Sequence, residues 1–137
     1  MGAMELPRSL TRLVMGRPEP MPPELLAEFP ELVVMRLRRG GLLPRVGGWF
    51  LGQATVAGIT VGRTVFLGQG AAATAELLLH ELAHVRQFEA LRAFPLQYWW
   101  ESARRGYAAN RFEVDARQFA ARRLGQRVTG SPWNEDS

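Results

Sequence analysis

Residues 77–87 read "LLLHELAHVRQ" and hold both histidines of a 137-residue chain. His80 and His84 stand four apart, with Glu81 directly after the first. On a helix advancing about 100° per residue, the two imidazoles fall within about 40° of each other. Leu78, Leu79, Leu82 and Val85 cover the opposite side, so a helix here is apolar nearly all round and is expected to be buried. Two imidazoles stacked inside a buried helix need polar partners. A metal ion supplies one, because neutral ring nitrogens at i and i+4 converge on a single cation. Glu81 falls about 100° round the wheel from His80. From there it reaches a water on the metal better than the metal itself, the placement of a general base in metal-assisted hydrolysis. The competing reading is two core histidines hydrogen-bonded to backbone or carboxylates.

Composition narrows what completes the site. The chain has no Cys, which excludes disulfides and any thiolate ligand, and no further His. A third ligand must therefore be Asp or Glu. Downstream stand Glu89, Glu101, Glu113 and Asp115. Glu89 shares the histidine helix but points elsewhere on its wheel, and Glu101 in "ESARR" reads as a solvated ion pair. In "NRFEVDARQFAARRLG" (110–125), Phe112, Ala116, Phe119, Ala120 and Leu124 form an apolar stripe. Glu113 lies on the flank of that stripe and Asp115 farther from it. Glu113 is thus the preferred ligand and Asp115 the fallback. Asn110 followed three residues later by Glu113 also matches a helix capping box, in which Glu113 would only tie off the helix start.

Around this helix the chain reads as one α+β domain. Residues 1–23 are rich in Pro and Arg and are expected to form a loosely ordered arm, as is the tail 126–137. "PELLAEF" (23–29) and "PELVVMRLRR" (30–39) read as two short helices, each opened by Pro, the second stopped at Gly40-Gly41. "ITV" and "TVFL", joined by Gly62-Arg63, read as a β-hairpin, and "WFLGQATV" (49–56) as a third strand of a small antiparallel sheet. From residue 71 the pattern is helical: one helix to about Phe94, a second over "PLQYWWESARRG" (95–106), a third from Asn110 stopped at Gly125.

The net charge is +4, and all 17 basic residues are Arg. Their densest groups are Arg36, Arg38 and Arg39; Arg104 and Arg105; Arg122 and Arg123. None is interleaved with aromatics in the manner of a base-stacking surface, which argues against nucleic acid as the main partner. No secretory leader and no run long enough to span a bilayer stands out, so a cytoplasmic protein is expected.

His80-Glu81-Leu82-Ala83-His84 resembles the zincin metallopeptidase signature. "NRFEVDA" (110–116) looks like the downstream element of the gluzincin variant, as found in small bacterial mini-gluzincin domains. It is similar also to the E-x-x-A-D element of CaaX prenyl proteases, except that Arg117 stands where that pattern has Asp. The resemblance covers roughly residues 48–124. It implies a minimal zincin-like fold, with a three-stranded antiparallel sheet packed on a central histidine helix, helices before and after it, and an edge strand that takes an extended substrate by strand addition. It also implies zinc held by His80, His84 and Glu113, and peptide hydrolysis with Glu81 as base. Tyr107, three residues before Asn110, is the candidate to stabilise the oxyanion, while Tyr98 reads as core beside Trp99 and Trp100. Glu76 and Gln87 flank the histidine face as candidates to hold imidazole N–H groups. Two other readings stand beside the peptidase: a zinc-bearing but silent or self-inhibited module acting in protein interaction, with the arm or the "NEDS" tail lying in the cleft, and an Arg-rich nucleic-acid binder.

Overall fold

The computed structural model describes residues 7–42 and 58–129. The chain divides into two compact units, Met1–Ala73 and Thr74–Ser137.

The described residues of the first unit carry a four-stranded mixed sheet. Helix α1 (Arg8–Met15) leads into strand β1 (Arg17–Glu19). Helix α2 (Pro23–Glu28) and a 3-10 turn (Pro30–Val34) follow, then β2 (Arg36–Arg39), β3 (Gly58–Val61) and β4 (Thr64–Leu67). The strand order is β1-β2-β4-β3. β1 pairs with β2 and β3 with β4 antiparallel, while β2 and β4 run parallel, Leu37 opposite Val65. Phe29, Leu32, Leu37, Val65, Phe66 and Leu67 are buried.

The hairpin forms as expected, with Gly62 at positive φ (63°) in its turn. Three expectations are corrected. Of residues 1–23, the described part is a helix and an edge strand rather than a loosely ordered arm. "PELVVMRLRR" is not a helix: its first half is a 3-10 turn and its second half is β2. β-branched Val33 and Val34 weaken helix formation, and pairing with β4 on one side and β1 on the other outweighs local preference. Among the described residues the sheet has four strands and one parallel pairing, where three antiparallel strands were expected. The segment read as a third strand, 49–56, lies outside the described residues.

Arg38 and Arg39 hold this unit together. Arg38 donates from Nε to the Met15 carbonyl (3.0 Å) and from Nη2 to that of Gly16 (2.9 Å). Gly16 has φ 71°, and a Cβ there would collide with the Arg39 carbonyl, so only glycine lets β2 approach this closely.

The described residues of the second unit form three helices: α3 (Ala75–Ala90), α4 (Phe94–Arg105) and α5 (Arg111–Thr129). α3 packs chiefly on α5. α3 starts later than expected because Thr74 caps it, its Oγ1 accepting from the Leu77 N–H at 3.2 Å. It ends at Ala90, with Leu91 extended. α4 stops at Gly106 (φ 78°) as expected. α5 does not stop at Gly125, which has no positive φ and lies inside the helix. Among the described residues no helix is long and apolar enough to cross a membrane.

A candidate metal centre between two helices

The phase of α3 is set at Thr74, and the buried face of Leu78, Leu79, Leu82 and Val85 fixes its rotation. The start of α5 is set by Asn110, which is fully buried. Its Oδ1 accepts from the Phe112 N–H (2.8 Å), and its Nδ2 donates to the Tyr98 carbonyl (3.1 Å) and Ser102 Oγ (2.8 Å). Asn110 is therefore the N-cap. Glu113 does not close a capping box, because the Asn110 N–H goes to the Tyr107 carbonyl (3.3 Å).

Glu113 turns inward to the histidines instead. His80 Nε2 is 2.8 Å from Glu113 Oε2, and His84 Nε2 is 3.0 Å from Oε1. One donor atom from each of the three residues lies within 4.8 Å of the others, so the group could hold a metal ion. The donor set fits. In a tetrahedral site with metal–ligand bonds near 2.0 Å, neighbouring donors stand about 3.3 Å apart, close to the spacing found here.

Gln87 settles which histidine nitrogen faces the centre. Its Nε2 donates to the Phe112 carbonyl (3.0 Å), turning its oxygen onto His84 Nδ1 at 2.8 Å. That oxygen only accepts, so Nδ1 carries hydrogen. A neutral His84 then presents the lone pair of Nε2 to a carboxylate oxygen. Such an arrangement is stable only with a cation between them, either a proton or a metal. Without metal the proton takes that place. Burial pulls the His84 pKa down, but the Glu113 hydrogen bond, the charges of Glu81 and Glu113, and Gln87 outweigh it and push it up to about 8. Glu113 responds in the opposite sense. Its burial favours the neutral acid, yet hydrogen bonds from His80, His84 and Tyr98 hold it well below the usual carboxylate range.

Glu81 is buried at 4 % exposure, and its charge bears on His84, Tyr98 and Tyr107. Tyr98 is not the core residue expected: its hydroxyl donates to Glu113 Oε1 at 2.6 Å, while Trp99 and Trp100 are exposed. Tyr107, half-buried in the α4–α5 turn, is also brought to the carboxylates. Burial first, then the charges of Glu113 and Glu81, raise its hydroxyl above the ordinary tyrosine range, and the same causes act more strongly on Tyr98. Both phenols thus stay protonated at neutral pH. Phe94 and Phe112 pack edge to face (5.1 Å between centroids), with Tyr98 and His84 against Phe94, forming a dry aromatic wall on one side.

Of the remaining candidates, Gln87 holds an imidazole and exposed Glu76 has no such bond. Asp115 is exposed and outside the cluster. Glu101 is buried rather than solvated, facing Arg105 at 3.6 Å and Arg111 at 3.9 Å. Sequence reasoning missed Tyr98. Its one usable signal was the spacing of Phe94, Tyr98 and Glu101, which share the side of α4 opposite Leu96 and Trp100.

Neither a curated protein nor a solved structure matches the chain. A family model does match over residues 51–91, from before β3 to just past the end of α3: the chain is similar there to the eCIS core domain, a stretch that takes in His80, Glu81 and His84 and leaves out Glu113.

Proposed function

We propose that this protein is a zinc-dependent metallopeptidase acting on a peptide or protein segment in extended conformation. The observation that carries the reading is the convergence of His80, His84 and Glu113 from two helices, with buried Glu81 beside them. Two imidazoles and one carboxylate are a donor set suited to zinc, and three protein ligands leave a position for water or substrate. Zinc bound there would supply Lewis acidity, acidifying water toward neutral pH and polarising a carbonyl.

The chain's own residues have distinct tasks in this reading. Glu81 accepts a proton from the attacking water on its carboxylate and returns it to the leaving nitrogen. Tyr98 and Gln87 hold Glu113 and His84 in place through the bonds described above. Tyr107, kept protonated, donates its hydroxyl hydrogen toward the oxygen that gains charge. The nucleic-acid reading loses support, because Arg38 and Arg39, part of the densest basic group, are engaged with the chain's own carbonyls and Glu19.

The test is metal analysis beside cleavage of a peptide library. Wild type should carry about one zinc per chain, and Glu81→Gln should keep that zinc while cleavage falls about 10²–10⁴-fold. Zinc without any cleavage by wild type would overturn the peptidase reading in favour of a silent zinc module. Absence of zinc, with salt-sensitive nucleic-acid binding that survives His80→Ala, would overturn both.

A further inference from the structure

α4 is amphipathic with apolar residues on its outer face. At about 100° per residue, Leu96, Trp99, Trp100 and Ala103 share a sector of about 100°. Phe94, Tyr98 and Glu101 take the opposite side, where Phe94 and Glu101 are buried. Leu96 is 71 % exposed, Trp99 64 % and Trp100 57 %. A single exposed apolar side chain is ordinary, but two tryptophans and a leucine on one helix face are a patch that calls for a partner.

The charges around the patch say what kind. Glu101 is the one carboxylate of α4, and it is buried against Arg105 and Arg111. Arg105 lies over Glu101 on the far side (3.6 Å), so the exposed charges nearest the strip are Arg104 in the last turn and Arg92 just before the first. The face is an apolar strip bracketed by cations, with no exposed anion on the helix.

We propose that this face of α4 docks the protein on an anionic lipid bilayer. Tryptophan and leucine suit the boundary between headgroups and acyl chains, and arginines beside them reach anionic headgroups with their stems still in apolar surroundings. Twelve residues make a helix about 18 Å long, which lies in the interface rather than crossing it. Single-stranded nucleic acid also pairs aromatic rings with arginine, but it needs a groove that follows its backbone. Here the arginines stand toward the two ends of a single convex helix and line no groove.

The test is co-sedimentation of the full chain with vesicles. Wild type should sediment with phosphatidylcholine vesicles containing phosphatidylglycerol, not with phosphatidylcholine alone, and added salt should weaken the binding. Trp99→Ser with Trp100→Ser should lower partitioning roughly tenfold or more, and Trp99→Phe with Trp100→Phe should keep most of it. Arg92→Gln and Arg104→Gln should each cost about fivefold; these serve as the test even if the serine variant loses its circular dichroism. The proposal fails if wild type ignores anionic vesicles, if a folded serine variant sediments like wild type, if both arginine variants bind unchanged, or if a single-stranded oligonucleotide is bound and vesicles are not.

Discussion

Arg39 and Glu113 are each the polar hub of their own unit, and the two hubs are completed differently. Arg39 donates Nε to Glu19 Oε1 (2.6 Å), Nη2 to Oε2 (2.9 Å) and Nη1 to the carbonyls of Gly68 (2.9 Å) and Ala71 (2.6 Å). One cation meets one anion, and each nitrogen has an acceptor, so the chain supplies everything the cluster needs. Glu113 meets two ring nitrogens and a phenol, and the one N–H of a neutral His84 is on Nδ1, committed to Gln87 rather than to Glu113. With His84 neutral that cluster is one cation short, and a proton or a metal ion must come from outside to complete it. A buried polar group completed by the chain serves architecture, whereas one that the chain leaves short is where a ligand has work to do.

The contrast breaks most visibly at Glu113. Glu113→Ala should weaken zinc binding by more than about a hundredfold, beyond what loss of an outer partner costs, while Asp115→Ala leaves it unchanged. Zinc retained by the first variant or lost by the second, measured by competition with a chelator, would reassign the third ligand. Arg39→Met comes next. It strips a paired carboxylate and two carbonyls of their donor and should destabilise the protein by about 2–3 kcal/mol in denaturant titration, with zinc stoichiometry intact. A loss of zinc there would show that the two hubs are not separate.

The smallest effect is a pH dependence of the metal-free protein. The folded-state pKa of His84 is raised from 6.5 to about 8, so its contribution is fully present below pH 6.5 and is lost as pH rises through 8. The loss is about 2 kcal/mol. Glu113 is shifted down, so its contribution is present above its ordinary value of 4.5 and is lost in acid. Metal-free protein should therefore be most stable between about pH 4.5 and 6.5. Zinc affinity should rise over 6.5–8, because His84 must shed its proton to bind the metal. Thermal unfolding with and without chelator across this range checks both trends, and a metal-free curve flat from 6.5 to 8 would contradict the His84 assignment.

The site was legible where a helical period and elimination sufficed. The i, i+4 histidines and the lack of Cys or further His led to a carboxylate, and the apolar stripe of α5 singled out Glu113. The β3–β4 hairpin was legible from Gly62-Arg63. The parallel β2–β4 pairing was not, because Leu37 and Val65 lie 28 residues apart in sequence and nothing local near Arg36–Arg39 marks it. Tyr98 was hidden by its neighbours: flanked by two tryptophans it reads as core, and only the folded chain carries its hydroxyl to a carboxylate fifteen residues on.

Gln87 has a mechanical consequence as well as a chemical one. Its amide grips the Phe112 carbonyl on α5 while its oxygen grips His84 on its own helix. Apolar packing between these helices is non-directional, and it fixes their axial register less sharply than hydrogen bonds do. A slide of one residue, about 1.5 Å, would break the Gln87 bond and pull both histidines off Glu113 together. The polar cluster thus acts as a detent that gives the two helices a single axial register.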